Sequence, residues 1–201
     1  MSRRIRIAAA LCVATVAACA GTAQAADFVV PFNNWRVGGT LTLAKLQQNV
    51  SFPAGSTFNG SADLTTGQLT GTVSIPTFTS TIRVLGIPIQ VTQQIVPTGP
   101  ATGTITIGSG GTATIAGSSS DTIYLRSLGI GLLSIPTTCH TAAPVVFGLN
   151  YTGPLSLSTG FTFSGTTTIP RLTGCGLISP VLSTLLSGPG NAYTLTLSPP
   201  S

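Results

Sequence analysis

One stretch of sequence occurs twice, and it constrains the fold more than any other feature. Residues 64–79 read LTTGQLTGTVSIPTFT and residues 157–173 read LSTGFTFSGTTTIPRLT. The matched residues include Gly71 with Gly165, Ile75 with Ile169, and Pro76 with Pro170. Each copy alternates small polar with apolar residues and breaks at Gly or Pro, which is typical of hairpins of half-buried strands. The two copies predict a chain built from two similar β-rich halves.

The same alternation continues through residues 26–201, which we expect to form one domain with halves at about 28–116 and 117–199. Many short strands separated by turn residues predict an all-β fold. The favoured arrangement is a two-sheet antiparallel sandwich, and a closed β-barrel is the alternative. Residues 81–96 are predicted to form one strand, interrupted or placed at an edge by Pro88. Gly117–Ser120 is expected to be the loop that opens the second half.

One short C-terminal helix is predicted after residue 178. Ser179 is a suitable N-cap, and Pro180 fits the first helical position. Gly188-Pro189 would end the helix. The composition otherwise disfavours helix, because Glu is absent and Gly, Ser and Thr supply most of the polarity.

The first 25 residues have the pattern of an export signal. Three arginines within the first six residues precede an uncharged apolar run, and Ala23-Gln24-Ala25 has the form of a cleavage site. We therefore expect residues 1–25 to be removed and the protein to be secreted or held at the cell surface. In the alternative, Val16–Cys19 acts as a lipobox and a lipid on Cys19 anchors the protein. No later apolar run reaches the ~20 residues that cross a bilayer, so no transmembrane span is expected in the mature chain.

Charge is scarce after the leader. The eight basic residues less the three in the leader leave five, against three aspartates, which gives a net charge of +2. No basic patch with interleaved aromatic residues occurs, so nucleic acid is not an expected partner.

Two cysteines, Cys139 and Cys175, remain in the mature chain. An even number of cysteines in an exported protein predicts a disulfide, with Cα atoms about 4.4–6.8 Å apart.

Residues able to move protons are few, so no catalytic residue, cofactor site or metal site is predicted. His140 is the only histidine, and a Ser-His-Asp arrangement would have to recruit Asp63 or Asp121. No G-x-S-x-G motif is present, and metal-ligand clusters are missing from the sequence.

Residues 28–36, FVVPFNNWR, concentrate aromatic side chains next to the predicted cleavage site. One hypothesis is an interaction surface made of Phe28, Phe32, Trp35 and Arg36. The more ordinary alternative is a first strand whose aromatic side chains fill the end of the sandwich.

The segment Thr167–Gly176, TTIPRLTGCG, lies in a chain rich in Ala, Thr and Gly. In this segment and in overall style the chain resembles uncharacterised secreted all-β proteins of actinobacteria. The resemblance implies export and an all-β fold, and it implies no activity.

Three classes of function follow. The favoured class is a non-catalytic secreted or cell-envelope protein with a structural, adhesive or interaction role, whose partner would be an envelope component. The second is a carrier of an apolar, lipid-like ligand between the sheets. The least favoured class is a hydrolase, because ionisable residues are so few.

Overall fold

The computed structural model describes residues 28–200, where the chain forms fourteen strands, one α-helix and two 3₁₀ turns. The predicted signal peptide and Cys19 lie outside the described residues. The strands are β1 Val29–Leu43, β2 Gln48–Ser51, β3 Thr57–Asp63, β4 Gln68–Ser74, β5 Phe78–Val84, β6 Ile87–Pro97, β7 Ala101–Ile107, β8 Thr112–Ile130, β9 Leu133–Thr141, β10 Val145–Gly148, β11 Tyr151–Pro154, β12 Phe161–Ile169, β13 Leu172–Thr173 and β14 Gly188–Ser198. The helix α1 is Ser179–Leu186, and the 3₁₀ turns are Ser109–Gly111 and Gly176–Ile178.

All strand pairs in the described chain are antiparallel, and the main order is β12-β14-β1-β3-β4-β7-β8-β6-β5. Strand β2 pairs with β1, strands β9, β10 and β11 pair with β8, and β13 pairs with β9. The predicted all-β sandwich with one short helix is therefore confirmed. The order ends at β12 and β5, which do not pair with each other, so the closed barrel proposed as the alternative is wrong.

Strand β8 connects two parts of the sandwich, because its two ends pair with different strands. Its first part pairs with β7 on one side and with β10 and β11 on the other. Its second part lies between β6 and β9. The expectation that Gly117–Ser120 forms a loop is wrong, since these residues pair within β8 and Ser119 is buried. The strand therefore runs unbroken through the boundary proposed between the halves.

The core consists of two apolar clusters. One contains Leu41 and Val50 from β1 and β2, with Val91, Ile123 and Cys139 from β6, β8 and β9. The other cluster consists mainly of aromatic and small side chains. Its members are Phe32, Trp35, Phe58, Ala62, Ala101, Ile105, Ala113, Ile115, Phe161 and Phe163. Burial of these side chains is the main stabilising term for a chain with so few charges.

The predicted helix is confirmed, with Pro180 in its first turn. Ser179 does not cap it, because the Ser179 hydroxyl instead accepts a hydrogen bond from the Cys175 amide at 3.1 Å. At the other end, Lys45 Nζ donates to the Thr184 carbonyl at 2.8 Å, where a cation suits the helix dipole. Among the described helices, none combines the length and apolar character needed to cross a membrane.

The two repeat copies share local geometry but differ in strand pairing. Gly71 in β4 and Gly165 in β12 both make room for an aromatic neighbour, since a Cβ would overlap the Phe58 ring or the Tyr193 hydroxyl. Each proline follows the end of its strand. However, β4 lies between β3 and β7, whereas the ladder of β12 is with β14. Correspondingly, Ile169 is buried and Ile75 is half-buried. Pseudo-symmetry of the two halves stays a prediction.

Candidate functional site: an apolar end of the molecule

The aromatic segment near the N-terminus belongs largely to the core. Phe32 is 2% exposed and Trp35 is 5% exposed, and their ring centroids lie 4.9 Å apart edge to face. In a regular strand, residues three positions apart face opposite sides of the sheet. A β-bulge between Phe32 and Trp35, with Asn34 at φ +53°, turns both side chains inward. The hypothesis of an interaction surface is therefore wrong for these two residues, while Phe28 and Arg36 are exposed.

The predicted disulfide joins Cys139 in β9 to Cys175, and their Cα atoms are 4.2 Å apart, just below the expected range of about 4.4–6.8 Å. Cys175 lies just after β13, whose short ladder with β9 pairs Thr173 with His140. The Thr138 hydroxyl adds a 2.9 Å hydrogen bond to the Gly174 carbonyl. The bridge therefore fixes the segment that follows residue 175 to the sheet.

The remaining candidate residues for chemistry have structural partners. The His140 ring lies 3.0 Å from the Thr138 carbonyl through Nδ1 and stacks on Tyr124 at 5.5 Å. Asp63 accepts hydrogen bonds from the Thr65 and Thr66 amides and from the Thr66 hydroxyl. These contacts, the hydroxyl contact first, hold the Asp63 pKa below its ordinary value. Within residues 28–200, no group of three or more potential metal-ligating side chains occurs.

Asp121 is a carboxyl group inside the protein. It is 3% exposed, its Oδ2 accepts a 2.8 Å hydrogen bond from Ser119, and its Oδ1 has no hydrogen-bond partner among residues 28–200. Burial raises the Asp121 pKa, and the Ser119 hydrogen bond opposes that rise. The carboxyl faces an otherwise nearly apolar cavity of about 80 Å³ between the two core clusters. A cavity of ~150 Å³ holds benzene, so this gap is too small for a lipid.

The β5–β6 hairpin carries the first of three exposed apolar loops. Val84 pairs with Ile87, which leaves a two-residue turn of Leu85 and Gly86. Both turn residues have positive φ, +51° and +83°, as a type I′ turn requires. The strand expected over residues 81–96 is therefore interrupted, which was one of the two expectations, but the break is the Leu85-Gly86 turn and not Pro88. Leucine is unusual in this conformation, where Asn or Gly is preferred, and Leu85 is 96% exposed.

The β8–β9 hairpin carries the second exposed loop, beside the first. Ile130 pairs with Leu133, and the turn consists of Gly131 at φ +61° and a fully exposed Leu132. Because β6 pairs with β8, with Gln90 opposite Gly129, both hairpin turns lie at the same end of the layer. Leu133 is also mostly exposed.

The third exposed loop is the 3₁₀ turn Gly176–Ile178, directly after the disulfide. Leu177 is fully exposed, Ile178 is partly exposed, and Val181 in the first turn of α1 is also exposed. Ile178 borders the same apolar groove as Ile130 and Leu133. The third loop therefore lies next to the two hairpins.

These three loops form a surface that we call the apolar end. Nine large apolar side chains are exposed there, out of fifteen in the described residues: Leu85, Ile87, Ile130, Leu132, Leu133, Ile135, Leu177, Ile178 and Val181. Their loops flank an open groove of about 350 Å³ between the two hairpins and α1, lined almost entirely by hydrocarbon. Ile130, Leu133, Ile135, Ile178 and Val181 border this groove, and such a concentration of exposed apolar side chains is typical of an interaction site.

The three segments that carry the apolar end contain only positive charges. Residues 78–98, 122–141 and 171–187 contain Arg83, Arg126 and Arg171 and no Asp or Glu. Arg83 lies two residues before Leu85, and its Nη1 is 3.5 Å from the Gly86 carbonyl. Arg126 is further from the turns along its strand. It donates two hydrogen bonds to Gln94 Oε1, and its guanidinium carbon lies 4.4 Å from the centroid of the Tyr124 ring.

Sequence reasoning missed the apolar end, although a signal was present. Polar residues and glycine normally occupy two-residue turns, whereas here each turn combines one glycine with one leucine. Because leucine continues the apolar pattern of a strand, the turn at Leu85-Gly86 went unrecognised. An apolar residue beside a lone glycine in a β-rich chain is the feature that would have indicated it.

The fold and this surface define an antiparallel all-β sandwich with one disulfide and an exposed apolar end. Comparisons with protein-family models, with curated proteins and with solved structures found no match to the chain.

Proposed function

We propose that the protein is an exported, non-catalytic cell-envelope protein of actinobacterial type that works by binding through its apolar end. The observation that carries the proposal is the concentration of exposed leucine and isoleucine on three neighbouring loops. Exposing these side chains to water is unfavourable, and contact with an apolar partner removes that cost. The leader-like residues 1–25 and the disulfide support a location outside the cytoplasm.

The internal cavity gives little support to the alternative function, carriage of an apolar ligand between the sheets. Its volume of about 80 Å³ is small, and ligand pockets are commonly ~300–1,000 Å³. A second candidate function, carriage of an apolar ligand, is therefore better placed in the open groove of about 350 Å³ beside α1. Lipid detected by native mass spectrometry on the purified protein would favour this second function.

Cell fractionation tests the proposed function. The full chain, expressed with its own leader in a bacterial host, should fractionate with the envelope. A variant carrying Leu85→Asn, Leu132→Ser and Leu177→Ser should be released into the medium, because its loops no longer favour an apolar contact. Asn suits the left-handed conformation at position 85, so the turn should be preserved.

The matched control carries Ile107→Ser, Val146→Ser and Leu157→Ser. These residues are partly exposed and apolar, and none of them borders the groove of the apolar end. The control should stay with the envelope. Release of all three proteins to the same extent, or envelope retention of the loop variant, would contradict the proposed function.

A further inference from the structure

We propose that the partner of the apolar end is an anionic lipid bilayer, into which the tips of the three loops insert. This inference rests on the proposed function and specifies its partner. Lipid acyl chains would contact the loop tips, and lipid phosphate groups would contact Arg83 beside them.

The shape of the apolar end suits insertion. Leu85, Leu132 and Leu177 are fully exposed on turns, so each side chain projects from the protein surface. Separate projecting side chains are readily surrounded by fluid acyl chains. A folded protein partner would need matching pockets for all three leucines.

The backbone at Leu85 supports a functional reason for its exposure. Its φ of +51° is costly for a branched side chain, and Asn or Gly would relieve that cost. Packing against the rest of the protein does not explain Leu85, since it is 96% exposed. Backbone strain of this kind is concentrated where a side chain serves a function.

The position of Arg83 fits the depth of an inserted loop. Arg83 lies two positions before the tip at Leu85, which is about 7 Å between their Cα atoms along an extended chain. Apolar residues of interfacial segments insert about 5–10 Å into the boundary between headgroups and acyl chains. The Arg83 guanidinium lies beside the turn backbone, with Nη1 3.5 Å from the Gly86 carbonyl. When the turn sits at this boundary and the Leu85 side chain enters the acyl region, the N–H donors of Arg83 can reach lipid phosphates.

Charge argues against a second copy of this chain as the partner. In a two-fold symmetric dimer the same patch meets itself, so Arg83 of one copy would approach the arginines of the other. The three segments that form the apolar end contain no Asp or Glu to neutralise them. An anionic bilayer provides the opposite charge over its whole surface.

Sedimentation with lipid vesicles tests the inference. The purified mature protein should bind vesicles of equal parts phosphatidylcholine and phosphatidylglycerol, and bind vesicles of phosphatidylcholine alone several-fold more weakly. Leu85→Asn with Leu132→Ser and Leu177→Ser should weaken binding to the anionic vesicles by at least about 100-fold. Arg83→Gln should weaken it by about fivefold and leave binding to neutral vesicles unchanged.

The control variant Ile107→Ser, Val146→Ser and Leu157→Ser should bind like the wild type, and thermal melts should show that every variant is folded. Absence of vesicle binding by the wild type, or equal binding by the wild type and the folded loop variant, would overturn the lipid inference. If envelope fractionation still depends on the three leucines in that case, the proposed function stands with a partner other than lipid, such as a second copy detected by sedimentation equilibrium. If neither depends on them, both proposals fail.

Discussion

Removing the disulfide should lower the free energy of unfolding by about 4 kcal/mol, as the chain-entropy model gives for a loop of this length. Cys139 and Cys175 are 36 residues apart in sequence, and the bridge restricts that segment in the unfolded chain. Urea unfolding of the double variant Cys139→Ala, Cys175→Ala should show the loss as a lower midpoint, with a slope at least as steep as that of the wild type because the unfolded chain without the bridge exposes more surface.

The wild type under reducing conditions is the control for the lost side-chain packing, because it keeps both sulfur atoms. Its stability should fall by a similar amount. A decrease of less than about 1 kcal/mol in both experiments would contradict a stabilising role for the bridge.

Loss of the bridge should also release Leu177 from its place beside β9, so the residual folded protein should bind vesicles more weakly.

Replacing Asp121 by Asn should raise the free energy of unfolding at pH 7 by about 1–3 kcal/mol, because it removes the cost of burying a carboxyl group that is ionised in the unfolded chain. Burial raises the Asp121 pKa above its ordinary value of 3.8. The folded state therefore holds the proton more tightly, and stability falls as pH rises from 3.8 through the raised pKa. The gain from Asn should accordingly be present at pH 7 and absent below pH 3.8.

Asp63→Asn is the matched control with the opposite sign. Hydrogen bonds from Thr66, then Thr65, lower the Asp63 pKa, so its ionised form stabilises the fold above its ordinary pKa of 3.8 and this effect is lost as pH falls through the lowered value. The Asn variant should be less stable than the wild type at pH 7, and the difference should shrink as pH falls below 3.8. Urea unfolding at pH 7 and pH 3 measures both. Destabilisation by Asp121→Asn at pH 7 would contradict the proposed cost of the buried carboxyl.

The sequence predicted the elements whose local chemistry is distinctive. Pro180 and Gly188-Pro189 bounded the helix. Two cysteines in a chain with a leader-like start predicted the bridge. In each case a residue type with a restricted conformation or a single chemical role carried the signal.

Tertiary packing determined what the sequence did not predict. The bulge at Asn34 placed Phe32 and Trp35 on one side of β1, which simple alternation cannot show. The unbroken course of β8 through Gly117 depends on partners from both layers. The apolar end was missed because its three loops are separated in sequence, so that only strand pairing and the disulfide bring them together.

The most direct test of the account is the polarity around a loop tip during binding. The bridge occupies both cysteines of residues 28–200, so in protein purified without residues 1–25 Leu132→Cys provides one free thiol for an environment-sensitive fluorophore. Val146→Cys provides the matched control position. With vesicles of equal parts phosphatidylcholine and phosphatidylglycerol, emission from position 132 should shift to shorter wavelength and gain intensity, while emission from position 146 should not change. An unchanged spectrum at 132, or equal shifts at both positions, would contradict binding through the apolar end.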